Sequence, residues 1–126
     1  MCLSIVYKGK EKKEALAKFP ETGYYWKVVT FIDGKYYPSV YKYSEPFKTL
    51  NVKKKPLYRG MGYNLAFHIF RYKKDAIAWR GWLDDRVVRC KVKKQDIVAI
   101  GTQRIFGMQK LVIVTKRFWC PRPPKK

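Results

Sequence analysis

Acidic residues, histidine and cysteine are all scarce in this 126-residue chain. Nine Asp and Glu stand against 29 Lys and Arg, beside one His and three Cys. No CxxC or Cys/His cluster occurs, which argues against a structural zinc site. Metal-assisted hydrolysis needs convergent carboxylates or histidines. The only acidic pair, Asp84-Asp85, is expected in a solvated turn at a helix end. We therefore expect that the protein binds no metal or cofactor and is not an enzyme.

Long apolar segments are also missing. No run of about 18 apolar residues exists to span a membrane. The opening "MCLSIVYKGK" lacks the long apolar core of a signal peptide. The cysteines Cys2, Cys90 and Cys120 are far apart and odd in number, which favours a reduced protein over a disulfide framework. These absences predict a cytoplasmic protein that makes no use of a membrane.

What the chain has is positive charge and aromatic rings. The formal net charge is +20, 47% of the residues are hydrophobic and 17% are aromatic. This hydrophobic content argues against disorder, and the length predicts one domain with its own core. We assign residues 1–119 to that domain and 120–126, "CPRPPKK", to a basic proline-rich tail.

The local patterns predict an α+β fold with a mostly antiparallel, twisted sheet and one or two short helices. "EKKEALAKF" and "KKDAIAWRGWL" have helical spacing, and "KLVIVTKRFW" is typical of a strand near a sheet's centre. Asp33-Gly34 separates two β-branched and aromatic runs, as in a tight hairpin. Pro38 lacks an N–H, so the second strand of this hairpin should be an edge strand.

The stretch "VVRCKVKK", residues 87–94, alternates apolar and basic residues with a period of two. As a strand it directs Val88, Cys90 and Val92 to one side and its cations to the other. A cationic sheet face in a chain with few acidic residues predicts a polyanionic partner.

Three candidates for chemistry have plainer explanations. His68 is alone in "AFHIF" and is expected to be a partly buried strand residue. Cys90 alternates with valines, as a small core residue does. "YRGMG" could let the backbone approach a phosphate, but its spacing matches no phosphate-binding fingerprint, and a turn between strands is the simpler interpretation.

The order of short motifs from Leu57 to Phe118 resembles the ADP-ribosyltransferase-like fold. "YRG" at 58–60, "FHIF" at 67–70, "DAIAW" at 75–79 and "VVRCKV" at 87–92 follow that order. The chain is also similar to small uncharacterised phage and bacterial proteins that share a "GFH-x-F…DA…VV-x-C" pattern. The resemblance covers about half of the chain.

This resemblance implies a scaffold without its usual activity. The transferases stabilise a ribosyl cation with a glutamate on a late strand, but no Glu follows Glu45 here, and Gln109 stands in the matching region. The serine of the middle motif is also missing. A divergent transferase would use Arg59, His68 and Gln109, and would release nicotinamide from NAD.

Uncompensated charge and aromatic residues together favour a non-enzymatic nucleic-acid binder, with RNA or single strands ahead of duplex DNA. Cations that contact phosphates release counterions, and exposed rings stack on unpaired bases. The predicted binding residues are Lys53, Lys54, Lys55, Arg59, Arg71, Lys73, Lys74, Arg89, Lys91, Lys93, Tyr36 and Tyr41.

A second hypothesis stays open. A small basic protein of this kind could act as a phage-type inhibitor that binds an acidic host protein or a ribonucleoprotein complex. Steep salt dependence on free nucleic acid favours the first hypothesis, whereas tight binding to a protein at moderate salt favours the second.

Overall fold

The computed structural model describes residues 3–38, 45–53, 57–58, 64–81 and 84–124. Two α-helices, α1 (Gly9–Ala17) and α2 (Lys73–Trp79), accompany eleven short or medium strands in this part of the chain. The strands are β1 (Ile5–Val6), β2 (Thr22–Ile32), β3 (Lys35–Pro38), β4 (Leu50–Val52), β5 (Leu57–Tyr58), β6 (Asn64–Leu65), β7 (Phe67–Phe70), β8 (Asp85–Lys93), β9 (Ile97–Ile105), β10 (Met108–Thr115) and β11 (Arg117–Trp119).

One large sheet dominates the molecule. Its strand order is β1-β9-β10-β7-β2-β8-β11-β4, with β3 paired to β2, while β5 and β6 pair separately. All of these described pairings are antiparallel. The predicted α+β class, rich in antiparallel sheet and with two short helices, is therefore confirmed.

The hairpin between β2 and β3 forms where the sequence predicts it. Asp33 has φ 51° and Gly34 has φ 75°, the left-handed conformation that a type I′ hairpin turn requires at both positions. Pro38 ends β3, which pairs with β2 and with no other described strand. The proline therefore lies on an edge strand, where a missing N–H breaks no ladder.

The sheet buries apolar side chains on both faces, and each helix covers part of one. On what we call the α1 face, Val88, Cys90 and Val92 join a core against which Ala15 and Leu16 of α1 pack. The opposite face is the α2 face. It carries a second cluster around the buried Val28, Phe70, Ala76, Ile105 and Val112, in which Ala76 belongs to α2.

Two local expectations are wrong. "KLVIVTKRFW" forms two strands, because β10 ends at Thr115 and β11 begins at Arg117, with Lys116 between them. Asp85 is buried rather than solvated, and it accepts hydrogen bonds from Thr30 Oγ1 and the Gly81 N–H. Such partners offset the cost of burying a carboxylate.

Residues 120–124 contain no helix or strand, and Cys120 is buried in the α1-face core. None of the helices in the described ranges is both long enough and apolar enough to cross a membrane.

Candidate nucleic-acid interface

The alternation in β8 places its cations on one face of the sheet, as predicted. Val88, Cys90 and Val92 are buried, whereas Arg89 is exposed and Lys91 and Lys93 are partly exposed. The basic side chains lie on the α2 face, because directly opposed residues of an antiparallel pair share a face. In this register Arg89 faces Trp26, Lys91 faces Tyr24 and Lys93 faces Thr22 of β2.

Aromatic rings lie beside these cations on the same face. Trp119 of β11 is opposite Lys91, so the basic strand has an aromatic residue on each side. The Arg89 guanidinium carbon is 4.6 Å from the centroid of the Tyr24 ring. The Lys91 and Lys93 ammonium nitrogens are 4.7 and 5.3 Å from the Trp119 ring. Cation–π attraction at these distances contributes about 0.5–1 kcal/mol at an exposed site.

Helix α2 borders this surface without covering it. Its first residue, Lys73, has its ammonium 5.1 Å from the Trp26 ring, while Trp26 also packs against the second core cluster. Tyr24, two residues earlier on β2, keeps 54% of its surface exposed. We call this surface the basic-aromatic face. It consists of Tyr24, Trp26, Lys73, Arg89, Lys91, Lys93 and Trp119.

No acidic side chain in the described ranges forms an ion pair with a cation of this face. The two described ion pairs are Lys10–Glu14, within α1, and Lys110–Asp75, which joins β10 to α2. The face therefore combines positive charge, flat rings and solvent access. A phosphate can approach its cations without displacing a resident carboxylate.

The structure does not bring all the predicted binding residues together. Tyr36 is only 8% exposed, and its ring centroid is 5.5 Å from that of Phe31. The expectation of an exposed Tyr36 ring is therefore wrong: the position packs into the core. Arg71 turns away from the basic-aromatic face. Its guanidinium lies 4.2 Å from the centroid of Phe19, which belongs to the α1-face core.

The other predicted lysines are peripheral or undescribed. Lys74 is exposed on α2, and Lys53 is exposed after β4, where its N–H donates to the Lys116 carbonyl. Neither contributes to the cation–π pairs of the face. The predicted Lys54, Lys55, Arg59 and Tyr41 lie outside the described residues.

Sequence reasoning missed Tyr24 and Trp119 as binding residues. Both belong to runs in which several aromatic residues are adjacent, "GYYW" and "RFW". Neighbouring strand residues point to opposite faces, and Tyr25 and Phe118 are the buried members of these runs. The missing signal was the cross-strand register to β8, which no local pattern contains.

Of the three residues of the alternative transferase site, His68 and Gln109 lie far apart, and Arg59 lies outside the described residues. His68 is paired with Val114 of β10, and Gln109 is five positions earlier on that strand. At about 3.3 Å per residue the two positions are roughly 17 Å apart along β10. Gln109 instead accepts a hydrogen bond of 2.7 Å from Thr102.

His68 is buried, and its pKa lies far below the neutral range in which a general base works best. Burial, together with the nearby Lys27 ammonium, lowers its pKa from 6.5 to about 4. A ring that remains neutral at physiological pH suits the strand position predicted for it. Within the described part of the chain, no three His, Cys, Asp or Glu side chains are grouped as metal ligands would be.

Comparisons with known proteins give no relatives. No family model matches the chain, and neither a curated protein nor a solved structure is significantly similar to it.

Proposed function

We propose that this protein binds single-stranded nucleic acid, RNA or DNA, through the basic-aromatic face. The observation that carries the proposal is the row formed by Trp119, Lys91 and Tyr24. These residues lie directly opposite one another on three neighbouring strands and on the same face. Rings on a basic sheet are stacking surfaces for unpaired bases, while adjacent cations hold the phosphates.

The dimensions of the row favour an unstacked single strand. Two strand spacings separate Trp119 from Tyr24, which is about 10 Å. Each ring can therefore take a separate base, with Lys91 between them and Arg89 and Lys93 on either side along β8. In a duplex the bases are stacked on each other and cannot lie flat on a protein ring without being extruded. We therefore expect single strands to bind more tightly than duplexes.

The charges predict a measurable salt dependence. If Lys73, Arg89, Lys91 and Lys93 each neutralise one phosphate, the slope of log K against log salt is about −2.8 on a single strand. Because the binding is dominated by phosphate contacts and stacking, we expect little sequence preference.

The experiment is fluorescence anisotropy with labelled single-stranded RNA and DNA and a matched duplex at several salt concentrations. Tyr24→Ala and Trp119→Ala should each weaken the binding free energy by about 1–3 kcal/mol, because each removes a ring on which one base stacks. They should leave the salt slope unchanged. Arg89→Ala should reduce the magnitude of the slope by about 0.7, because it removes one phosphate contact.

Matched controls lie elsewhere on the molecule. Lys13→Ala removes an exposed cation from α1, which packs on the opposite face, and Phe106→Ala removes an 89% exposed ring beyond β9. Neither should change the affinity more than about twofold. Tyr24→Phe should restore most of the binding lost in Tyr24→Ala, because stacking needs the ring and not the hydroxyl.

Two results would contradict the proposal in different ways. Absence of binding at low salt would exclude nucleic acid as the partner and direct attention to a protein target. If the control substitutions weaken binding as much as Tyr24→Ala and Arg89→Ala do, the protein binds nucleic acid, but its binding site is not the basic-aromatic face.

A further inference from the structure

Two cysteines lie opposite each other beneath the basic-aromatic face. Trp119 pairs with Lys91 in an antiparallel register, so the next position places Cys120 opposite Cys90. Both thiols are free and buried, and the Cys90 thiol donates a 3.9 Å hydrogen bond to the Val88 carbonyl. Each cysteine shifts the pKa of the other, as expected of neighbouring thiols. Opposed residues in antiparallel strands have Cα atoms about 4.5–5.5 Å apart, within the range that a disulfide spans.

An ammonium group lies close to these thiols. Lys27 of β2 lies opposite Val88, which is two residues from Cys90 on β8, so Lys27 and Cys90 are on the same face of the sheet. Its Nζ donates a 2.9 Å hydrogen bond to the His68 carbonyl and lies 5.5 Å from the centroid of the Phe47 ring. Burial lowers the pKa of Lys27 to about 8, although the negative charge of either thiolate would oppose that change.

The two thiols differ in their pKa. The neighbouring Cys90 thiol and the Lys27 ammonium favour the thiolate of Cys120, whose pKa is lowered. The neighbouring Cys120 and burial raise the pKa of Cys90, which therefore stays a thiol. A thiolate, a neighbouring thiol and a proton donor are the groups that a two-step thiol oxidation needs.

We propose that Cys120 and Cys90 form a peroxide-sensitive dithiol, in which Cys120 is oxidised first and Cys90 then closes a disulfide. The Cys120 thiolate attacks one oxygen of hydrogen peroxide, an S–O bond forms and the O–O bond breaks. The hydroxide released takes a proton from Lys27 and leaves as water. Cys120 is then a sulfenic acid, oxidised by two electrons.

The second step consumes the Cys90 thiol. Cys90 gives its proton to the neutral Lys27 amine, and its thiolate attacks the Cys120 sulfur. The S–S bond forms as the S–O bond breaks, and the departing hydroxide takes the proton back from Lys27 as a second water. One peroxide and two thiols thus become one disulfide and two waters, which links β8 to the end of β11.

Mass spectrometry of the full chain in a Cys2→Ser background tests this proposal. The folded protein is treated with hydrogen peroxide, free thiols are blocked, and the chain is digested without reduction. We expect a peptide pair joined through Cys90 and Cys120, lighter by two hydrogens than the separate peptides. The experiment needs no nucleic acid, so its result is independent of the proposed binding function.

Single substitutions separate the roles of the two sulfurs. Cys90→Ser retains a hydroxyl donor but no second sulfur, so a sulfenic acid should accumulate at Cys120 and be trapped by dimedone. Cys120→Ser should leave Cys90 reduced. Lys27→Met should slow the oxidation of Cys120 at neutral pH, because loss of the ammonium raises the pKa of this thiol and leaves less thiolate to react.

Three outcomes would overturn the proposal. The first is no Cys90–Cys120 peptide after oxidation of the folded chain. The second is dimedone labelling of Cys90 in place of Cys120. The third is an oxidation rate that urea accelerates in proportion to the unfolded fraction, since this would mean that the thiols react only in the unfolded chain.

Discussion

At the scale of single residues, Lys27 is the most unusual feature of the core. Its ammonium lies near two thiols, a backbone carbonyl and the rings of Phe47 and Phe118. With a folded-state pKa of about 8, against an ordinary 10.5, the folded chain binds this proton more weakly than the unfolded chain. The proton therefore destabilises the fold below pH 8, and this penalty disappears as the pH rises from 8 to 10.5.

Lys27→Met should accordingly stabilise the protein at pH 7, and the gain should shrink at higher pH. The pKa shift means that the protonated lysine destabilises the fold by up to about 3 kcal/mol. The substitution also removes the hydrogen bond of Lys27, which lowers the expected gain by about 1 kcal/mol. Urea unfolding at pH 7 and pH 9.5 measures the gain at each pH. Exposed Lys13→Met is the matched control and should change stability little at either pH. A gain for Lys27→Met that does not depend on pH would contradict the explanation.

His68 gives a second titration that can be followed directly, because it is the only histidine. Its pKa of about 4 lies below the ordinary 6.5, so the unfolded chain binds more protons between these values. Stability supplied by the neutral ring is therefore lost as the pH falls from 6.5 to 4. The imidazole NMR signal should titrate with a midpoint well below 5.5. Lys27→Met should raise that midpoint, whereas Lys13→Met should leave it unchanged; a midpoint near 6.5 in the native protein would refute the burial argument.

At the scale of elements, the two long hairpins use the same turn with different residues. Asp33-Gly34 and Phe106-Gly107 both have positive φ at their two central positions. Asp tolerates this conformation, but a bulky aromatic residue is strained there by roughly 1 kcal/mol or more. The Phe106 side chain is 89% exposed, so it regains little of this cost by packing.

Phe106→Asn should therefore raise the free energy of unfolding by about 1 kcal/mol, because Asn tolerates the left-handed region. Asp33→Phe, the reverse change in the first hairpin, should lower it by a similar amount. Thermal or urea unfolding of the two variants gives the comparison. Destabilisation by Phe106→Asn would show that the aromatic ring makes a contact worth more than the strain.

The hairpins and the basic strand show what local sequence can predict. Asp33-Gly34 and the alternation of β8 were correctly interpreted because turn chemistry and side-chain period act over a few residues. The exposed rings could not be chosen in this way. Tyr24 and Tyr36 have similar neighbours in the sequence, but β8 pairs with β2 so that Tyr24 faces Lys91, while Tyr36 packs against Phe31. This distinction depends on strand pairings between distant parts of the chain.

The dithiol was hidden for the same reason. Cys90 was correctly predicted to face the core, but Cys120 was assigned to the beginning of an extended tail. Its backbone N–H donates to the Thr49 carbonyl, which extends the pairing of β11 with β4 by one residue. Only that continuation places Cys120 opposite Cys90.

At the scale of the whole molecule, the formal net charge of +20 acts on both folding and binding. Self-repulsion opposes the compact state, and salt screens it over about 10 Å at 0.1 M. Salt should therefore stabilise the free protein while it weakens binding to nucleic acid. The salt dependence of stability therefore measures repulsion among the surface charges, whereas the salt dependence of binding measures the contacts with phosphate.

Charge reversal far from the basic-aromatic face tests this balance. Lys13 and Lys18 are exposed on and just after α1, so Lys13→Glu and Lys18→Glu lower the net charge without removing a described ion pair. Each should stabilise the free protein by about 0.2–1 kcal/mol at low salt. Thermal unfolding at 20 mM and 500 mM sodium chloride measures the effect, which should nearly vanish at high salt because screening removes the repulsion that the substitutions relieve. Lys13→Gln should give a smaller gain. If the gains persist at high salt, helix-specific contacts would explain them, and repulsion from the excess charge would not be a significant cost of this fold.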